Sequence, residues 1–271
     1  MSDEKRLYEP ARFASDDLRP LWHVGGGRML FAGRLYRNAP HSHSASVLVV
    51  GIYDNFSLRL AGSDWLSCRA AIIRAGSTYE FDAGGQPLAV VYVEPNEASA
   101  EGLAALVRET REVSGALVAA QAELASILAL YEDRESSRWA GEAIADLIEF
   151  SNGRAKRGID KRVRAAIDLV SGSFGSDHET PHSPPPISTA ALGAGLSTSR
   201  FQHLFKQEAG VSYGRYLGWR RMRVAVSEVI GGSNLTMAAH AAGYYDQPHF
   251  AREFRRIFGA AASQSLANVR A

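Results

Sequence analysis

The chain has 271 residues, 46% of them hydrophobic and 22% charged, which suits a soluble protein of two ordinary domains. Its one cysteine, Cys68, excludes an internal disulfide framework and a cysteine-based zinc site, and no apolar run approaches the roughly 18–20 residues of a membrane span. The net charge of +1 conceals a split: residues 154–271 hold 16 Lys+Arg against 8 Asp+Glu, whereas residues 1–153 hold 14 against 21. A basic half beside an acidic half suggests that one domain meets a polyanion and the other does not.

Residues 1–20 are polar, and MSDEKRLYEPARF contains no apolar core, so a cytoplasmic chain without a secretory signal is expected. Gly25-Gly26-Gly27 reads as a turn before the first strand. From about Leu30 to Glu94 short apolar runs (LFAGRLYR, SVLVVGIYD, FSLRLAG, CRAAIIRAG, LAVVYVEP) alternate with turn residues. Many short strands at close spacing predict a sandwich or small barrel.

The texture changes after Pro95. Between Glu101 and Tyr131, apolar Leu103, Leu106, Val107, Val113, Leu117, Leu124, Ile127, Leu128 and Tyr131 fall at helical spacing, and a second helix is predicted over Arg138–Phe150. The long helix either covers the β surface or forms a dimer seam; one apolar stripe serves both readings. Residues 151–158, SNGRAKRG, read as the linker, because they are polar and lie where the charge changes sign. A helix follows over Asp160–Phe174, and GSDHETPHSPPP must be a loop, since three prolines cannot continue a helix.

A pattern then appears twice. FQHLFKQEAG begins at Phe201, and FAREFRRIFG begins at Phe250, 49 residues later. Each copy has Phe first and fifth, a basic residue sixth and Gly tenth. Ala191 precedes Gly195 by four residues, as Ala239 precedes Gly243, which allows a close helix crossing followed by a tight turn. Ser197 and Asp246 are suited to cap the second helix of each pair, Pro248 to its first turn, and Gly210 and Gly259 to its end. These are two helix-turn-helix units.

Phe201, Leu204 and Phe205, like Phe250, Phe254 and Phe258, form core stripes. The other faces carry Ser199, Arg200, Gln202, His203 and Lys206 in the first unit, and Gln247, His249, Arg252, Arg255 and Arg256 in the second. Such donors read base edges and neutralise phosphates, so these ten are the candidate DNA contacts. The intervening SYGRYLGWRRMRVAVSEVI predicts a helix of about 27 Å, long enough to serve successive major grooves roughly 34 Å apart. Within it Arg220, Arg221 and Arg223 are phosphate candidates, with a structural role favoured for Arg221.

Residues 160–270 resemble the DNA-binding domain of AraC/XylS-type transcriptional regulators. The likeness rests on ALGAGLSTSRFQHLFKQEAGVSYGRYLGWRRMRVA and AGYYDQPHFAREFRRIFG. It implies that Ser199, Gln202, His203, Gln247, His249 and Arg252 face bases. In this comparison His240 stands where an apolar residue is common. The β half resembles, more weakly, the cupin-like sensing domain of that family. The expected architecture is therefore α+β and multidomain. An N-terminal cupin-like β-barrel over 1–95 precedes covering or dimerisation helices over 96–152. An all-α domain over 153–271 holds the two units, at about 160–230 and 231–270, joined by a long helix.

His41 and His43 are spaced to share one face of a strand, which raises metal binding, the lining of an effector pocket, or plain surface histidines. Metal-binding cupins add a Glu and a later His, but here Tyr79 stands in the later segment. His41, His43, Tyr53, Arg74 and Tyr79 are the candidate effector-binding residues. No catalytic set, metal or cofactor is expected. The expected partners are operator DNA, a small-molecule effector, a second copy of the chain and RNA polymerase, with no membrane. The alternative is a metal-dependent cupin-type enzyme with a helical appendage.

Overall fold

The computed structural model describes residues 18–152, 158–174 and 184–270. Most of the expected linker, most of the proline-containing loop (175–183) and residues 1–17 of the polar N-terminal stretch lie outside the described residues.

The N-terminal half is built on a seven-stranded antiparallel sheet and a three-stranded one. Its strands are β1 Leu21–Gly25, β2 Arg28–Arg34, β3 Ser46–Gly51, β4 Phe56–Leu60, β5 Leu66–Cys68, β6 Ala70–Ile73, β7 Tyr79–Asp82, β8 Pro87–Val93, β9 Val107–Val113 and β10 Ala116–Ala122. The large sheet runs β1-β2-β8-β3-β6-β10-β9, and the small one β5-β4-β7. Strands β3 and β8 are buried along their whole length because both faces of the large sheet are covered. On one face Val47, Val49, Leu88, Val90 and Tyr92 join Phe56, Leu58 and Phe81 of the small sheet. On the other, Leu48, Val50, Ala89 and Val91 pack beneath helices α1 Ala100–Leu103, α2 Ala125–Glu132 and α3 Ala140–Asn152, through Leu103, Ile127, Tyr131, Ile144 and Ile148. Alternate residues thus serve two cores, which is why these strands read as unbroken apolar runs.

Three sequence expectations are corrected. The first strand precedes the glycine run: Gly26 and Gly27, both at positive φ, turn β1 into β2. The run CRAAIIRAG is not one strand, because the chain passes at Arg69 from β5 in the small sheet to β6 in the large one. The long helix over 101–131 does not form. After α1 and a 3₁₀ turn over Ala104–Leu106, the chain makes the β9–β10 hairpin and becomes helical again only in α2. Its apolar positions do fit a helix, but charged Arg108–Glu112 interrupts the stripe, and Ser114 (φ 46°) and Gly115 (φ 78°) supply the left-handed pair of a two-residue hairpin turn.

The C-terminal half is helical: α4 Lys161–Ser173, α5 Ile187–Gly193, α6 Thr198–Ala209, α7 Tyr213–Ile230, α8 Leu235–Ala241, α9 Gln247–Phe258 and α10 Ala262–Ser265. Ser197 caps α6 and Asp246 caps α9 by accepting backbone N–H bonds, and Pro248 lies in the first turn of α9. Gly195 and Gly243 make the turns at φ 65° and 76°, and Gly210 and Gly259 end the second helices at 75° and 69°. His240 sits on the exposed outer side of α8, as its counterpart Leu192 does on α5, so it disturbs no core. The hydrophobic core beneath both units is continuous with the core between the two sheets.

Candidate nucleic-acid interface and the surface that holds it

The buried stripes of α6 and α9 are Phe201, Phe205 and Ala209, and Phe250, Phe254, Ile257 and Phe258. Turned outward are Ser199, Arg200, Gln202, His203 and Lys206 on α6, and Gln247, Arg252, Arg255 and Arg256 on α9. Three of the five α9 candidates, His249 included, are already engaged. Gln247 Oε1 accepts a hydrogen bond from Thr236 at 2.8 Å, Arg256 pairs with Glu253 at 2.5 Å, and half-buried His249 packs edge-on against Tyr244 at 5.3 Å. The 18 residues of α7 separate the two units, a rod of about 27 Å.

Both α6 and α9 abut the β half at their C-terminal ends, by direct backbone approach. The Ala39 N–H donates to the Gly259 carbonyl at 2.9 Å, and a β-carbon on Gly259 would collide with the Ala39 carbonyl and His41 Nδ1. Gly210 meets Ala75 and Gly76 in the same way. The repeated terminal glycine therefore serves both the helix stop and the contact between halves.

Between these two points lies α7. Tyr216 Oη donates to Glu94 at 2.7 Å, Arg220 Nη1 donates to both Glu94 oxygens at 3.1 Å, and Arg223 donates to Glu94 and to the Arg28 carbonyl. Glu94 is 1% exposed. Burial alone would raise its carboxyl, but the Arg223 and Arg220 guanidiniums and the Tyr216 hydroxyl hold it below its ordinary value. Arg220 and Arg223 therefore hold structural places, in addition to Arg221, for which the sequence favours that role. Glu94 itself was readable as an acid closing an apolar strand, and Arg220 and Arg223 as an i,i+3 pair on one helix face.

Of the candidate effector residues, the structure brings together His41, His43 and Tyr79. His43 Nε2 lies 2.9 Å from Tyr79 Oη, and its ring contacts Tyr92, Trp219 and Phe258 at centroid distances of 4.8–5.8 Å. These histidines are buried between the halves. Tyr53 lies elsewhere and donates to Glu132 at 3.0 Å, while half-exposed Arg74 sits near Glu101 and Glu112. Arg74 also lines a cleft of about 870 Å³ between the halves, with Asn96, Glu97, Glu101, Arg164 and Glu208.

Burial lowers His41 to about 4, against the opposing pull of the Ala39 carbonyl and Glu80. Burial, with His41 and Arg215 nearby, pushes His43 well below its ordinary value. Both are neutral when folded, whereas the unfolded chain takes up protons below about pH 6.5. The folded state then binds fewer protons, so stability is complete above about pH 6.5 and falls as pH drops toward 4. His41 alone accounts for about 3 kcal/mol over that range. The urea midpoint should fall between pH 7 and 5, and fall less in a His41→Asn, His43→Gln chain; equal falls would assign the effect to another group, such as His23, whose value burial also lowers.

Residues 190–268 match a family model described as a helix-turn-helix domain. The arabinose operon regulatory protein of Salmonella typhimurium (strain LT2) is 29% identical over 110 residues, covering 39% of this chain. The chain spans only 36% of that relative's length. Two solved structures of ToxT from Vibrio cholerae strain SCE256 share the fold of nearly the whole chain. The apo form of a ToxT variant gives a TM-score of 0.57 at 9% identity, covering 91% of this chain and 99% of its own. Wild-type ToxT bound to unsaturated fatty acid gives 0.56 at 10%, covering 91% and 97%.

Proposed function

We propose that this chain is a sequence-specific DNA-binding transcription regulator of the AraC type, a reading supported by the helix-turn-helix match over residues 190–268, by the arabinose operon relative and by the two-sheet fold shared with ToxT. The observation that carries the reading is the pair of exposed, donor-rich helix faces on α6 and α9, spaced by α7. Arg200, Gln202 and His203 of one unit, and Gln247 and Arg252 of the other, read bases in successive major grooves. Lys206, Arg255 and Arg256 lie nearer the C-terminal ends and meet phosphates. Ser199 and half-buried His249, in the first turns, fix each helix on its groove.

The β half holds α7 and both recognition helices, so a small molecule that favours one arrangement of the halves would change DNA affinity. The cleft beside Arg74 and Arg164 is the place from which an effector has that leverage. A relative bound to fatty acid supports a small-molecule ligand for the shared fold. A second copy of the chain and RNA polymerase complete the proposed partners. Among the described residues no helix is long and apolar enough to cross a membrane; action in the cytoplasm belongs to the proposal as the place where a DNA-binding regulator meets its operator. His41 and His43 offer the enzyme alternative no open metal site, because Tyr79, Tyr92, Trp219 and Phe258 wall them in.

Selection from a random duplex pool at about 150 mM salt tests the reading, since phosphate contacts alone lose affinity steeply as salt rises. Two enriched motifs about one helical turn apart are expected. No enrichment under any condition would remove the DNA-reading role. At the selected site Arg252→Ala should cost about 1–3 kcal/mol and relax specificity at one position. An equal loss on every sequence would reassign Arg252 to phosphate.

A further inference from the structure

Strand β9 is the last strand of the seven-stranded sheet, and its outer edge has no strand partner among the described residues. Its sequence is VRETREV, with five consecutive exposed residues from Arg108 to Glu112. Charges on an edge strand ordinarily guard it against pairing. Here their order does the opposite for one partner. Read from either end, the strand gives the same residues with every charge inverted.

Set antiparallel to itself about Thr110, the strand places Arg108 opposite Glu112, Glu109 opposite Arg111 and Val107 opposite Val113. Every charge then meets its opposite, on the same face of the joined sheet. Other registers match fewer charges. A one-residue slip sets Arg108 against Arg111 or Glu109 against Glu112. A two-residue slip puts Glu109 or Arg111 against itself. Parallel pairing in register stacks like charge on like. A three-residue slip opposes unlike charges too, Arg108 with Glu109 or Arg111 with Glu112, but leaves half of the charges unmatched; only a two-fold axis through Thr110 pairs all four charges of each strand, the self-complementarity that an isologous interface requires.

We propose that β9 is a docking edge for a second copy of this chain, which adds its own β9 antiparallel and joins the two seven-stranded sheets. The inference rests on the self-association included in the proposed function and gives it a surface. It replaces the helical seam expected over 101–131 with the hairpin that forms there. Glu109 departs from the extended conformation (φ 51°), and its carboxylate accepts a hydrogen bond from Gln121 at 2.7 Å. Glu112 lies 3.9 Å from Arg74 across an exposed surface and remains open to a further cation. The Arg108–Glu112 pair, repeated on both sides of the axis, is therefore the main contact.

The test is sedimentation velocity of the full-length chain across a concentration series. Arg108→Glu and Glu112→Arg each create two like-charge oppositions per dimer, and each should weaken association roughly tenfold or more. The double exchange, R108E with E112R, should restore it. Thr110→Cys places a thiol on the axis. Opposed residues lie roughly 4.5–5.5 Å apart between Cα atoms, within the reach of a disulfide, and Cys68 is buried, so mild oxidation should give a covalent dimer. Thermal melts of the same variants confirm folding, which changes at these three exposed positions should leave intact. A wild-type dimer indifferent to R108E and giving no Thr110→Cys cross-link overturns the β9 interface while leaving self-association standing. A wild-type chain monomeric throughout overturns both. DNA selection reads the regulator assignment independently of either result.

Discussion

Replacing Glu94 by alanine will destabilise the folded chain by about 3–5 kcal/mol, the usual cost of removing one partner from a buried ion pair. The carboxylate is 1% exposed and answers two arginines and a tyrosine of α7, while Arg223 is itself 6% exposed. Without it, two guanidiniums remain buried with no counter-charge, a greater loss than the forgone attraction. Urea unfolding of the full chain measures the effect. Glu94→Gln, which keeps the shape but not the charge, should fall between wild type and Glu94→Ala. Removing the charges together, with Glu94→Leu, Arg220→Met and Arg223→Met, should recover much of the loss, because an apolar replacement of a buried cluster is often neutral or better. A loss below about 1 kcal/mol for Glu94→Ala would place the cluster with exposed ion pairs and remove it as the pin between the halves.

Gly259→Ala will cost more than the same change at Gly195 or Gly243, although all three have positive φ. Each substitution carries the left-handed penalty of about 1–2 kcal/mol. Gly195 and Gly243 have open space where a β-carbon would go, so that penalty is their whole cost. At Gly259 the new methyl meets the Ala39 carbonyl and His41, which adds about 1–3 kcal/mol of overpacking or forces the second unit off the β half. Gly210→Ala should behave like Gly259→Ala, through Ala75. Equal losses at all four positions, in unfolding and in affinity for the selected site, would show that the terminal glycines serve the helix stop alone.

The two helix-turn-helix units were legible because local chemistry specifies them. Ser197, Asp246, Pro248 and the four glycines each answer a backbone need within a few residues, and the phenylalanine stripes fix which faces turn inward. The 101–131 region misled because its apolar spacing is satisfied by two architectures, and the Ser114–Gly115 turn signal lay inside the apparent helix. The candidate DNA residues followed directly from helical periodicity. What binds the halves did not. Glu94 and Arg223 are 129 positions apart, and His43 meets Trp219 and Phe258 only after folding. No periodicity reports such pairings, so an acid ending a strand and two arginines on a helix could be noticed but not matched.

The last described residues return to the first described strand. Arg270 N–H donates to the Pro20 carbonyl at 2.8 Å, Arg270 bridges Leu21, and Trp22 Nε1 donates to the Ser265 carbonyl at 2.8 Å. The Arg270 guanidinium then reaches the carbonyls of Tyr131 and Asp133. For a chain emerging from the ribosome this sets an order of events. Strand β1 leaves the tunnel early, but its outer edge waits for residues some 240 positions later, about 10–50 s at the roughly 5–20 residues per second of translation. Through that interval the nascent β half presents an unclosed edge, the kind of surface on which neighbouring nascent chains pair. Completion of the helical half is thus also what closes the first half against its neighbours on the same messenger.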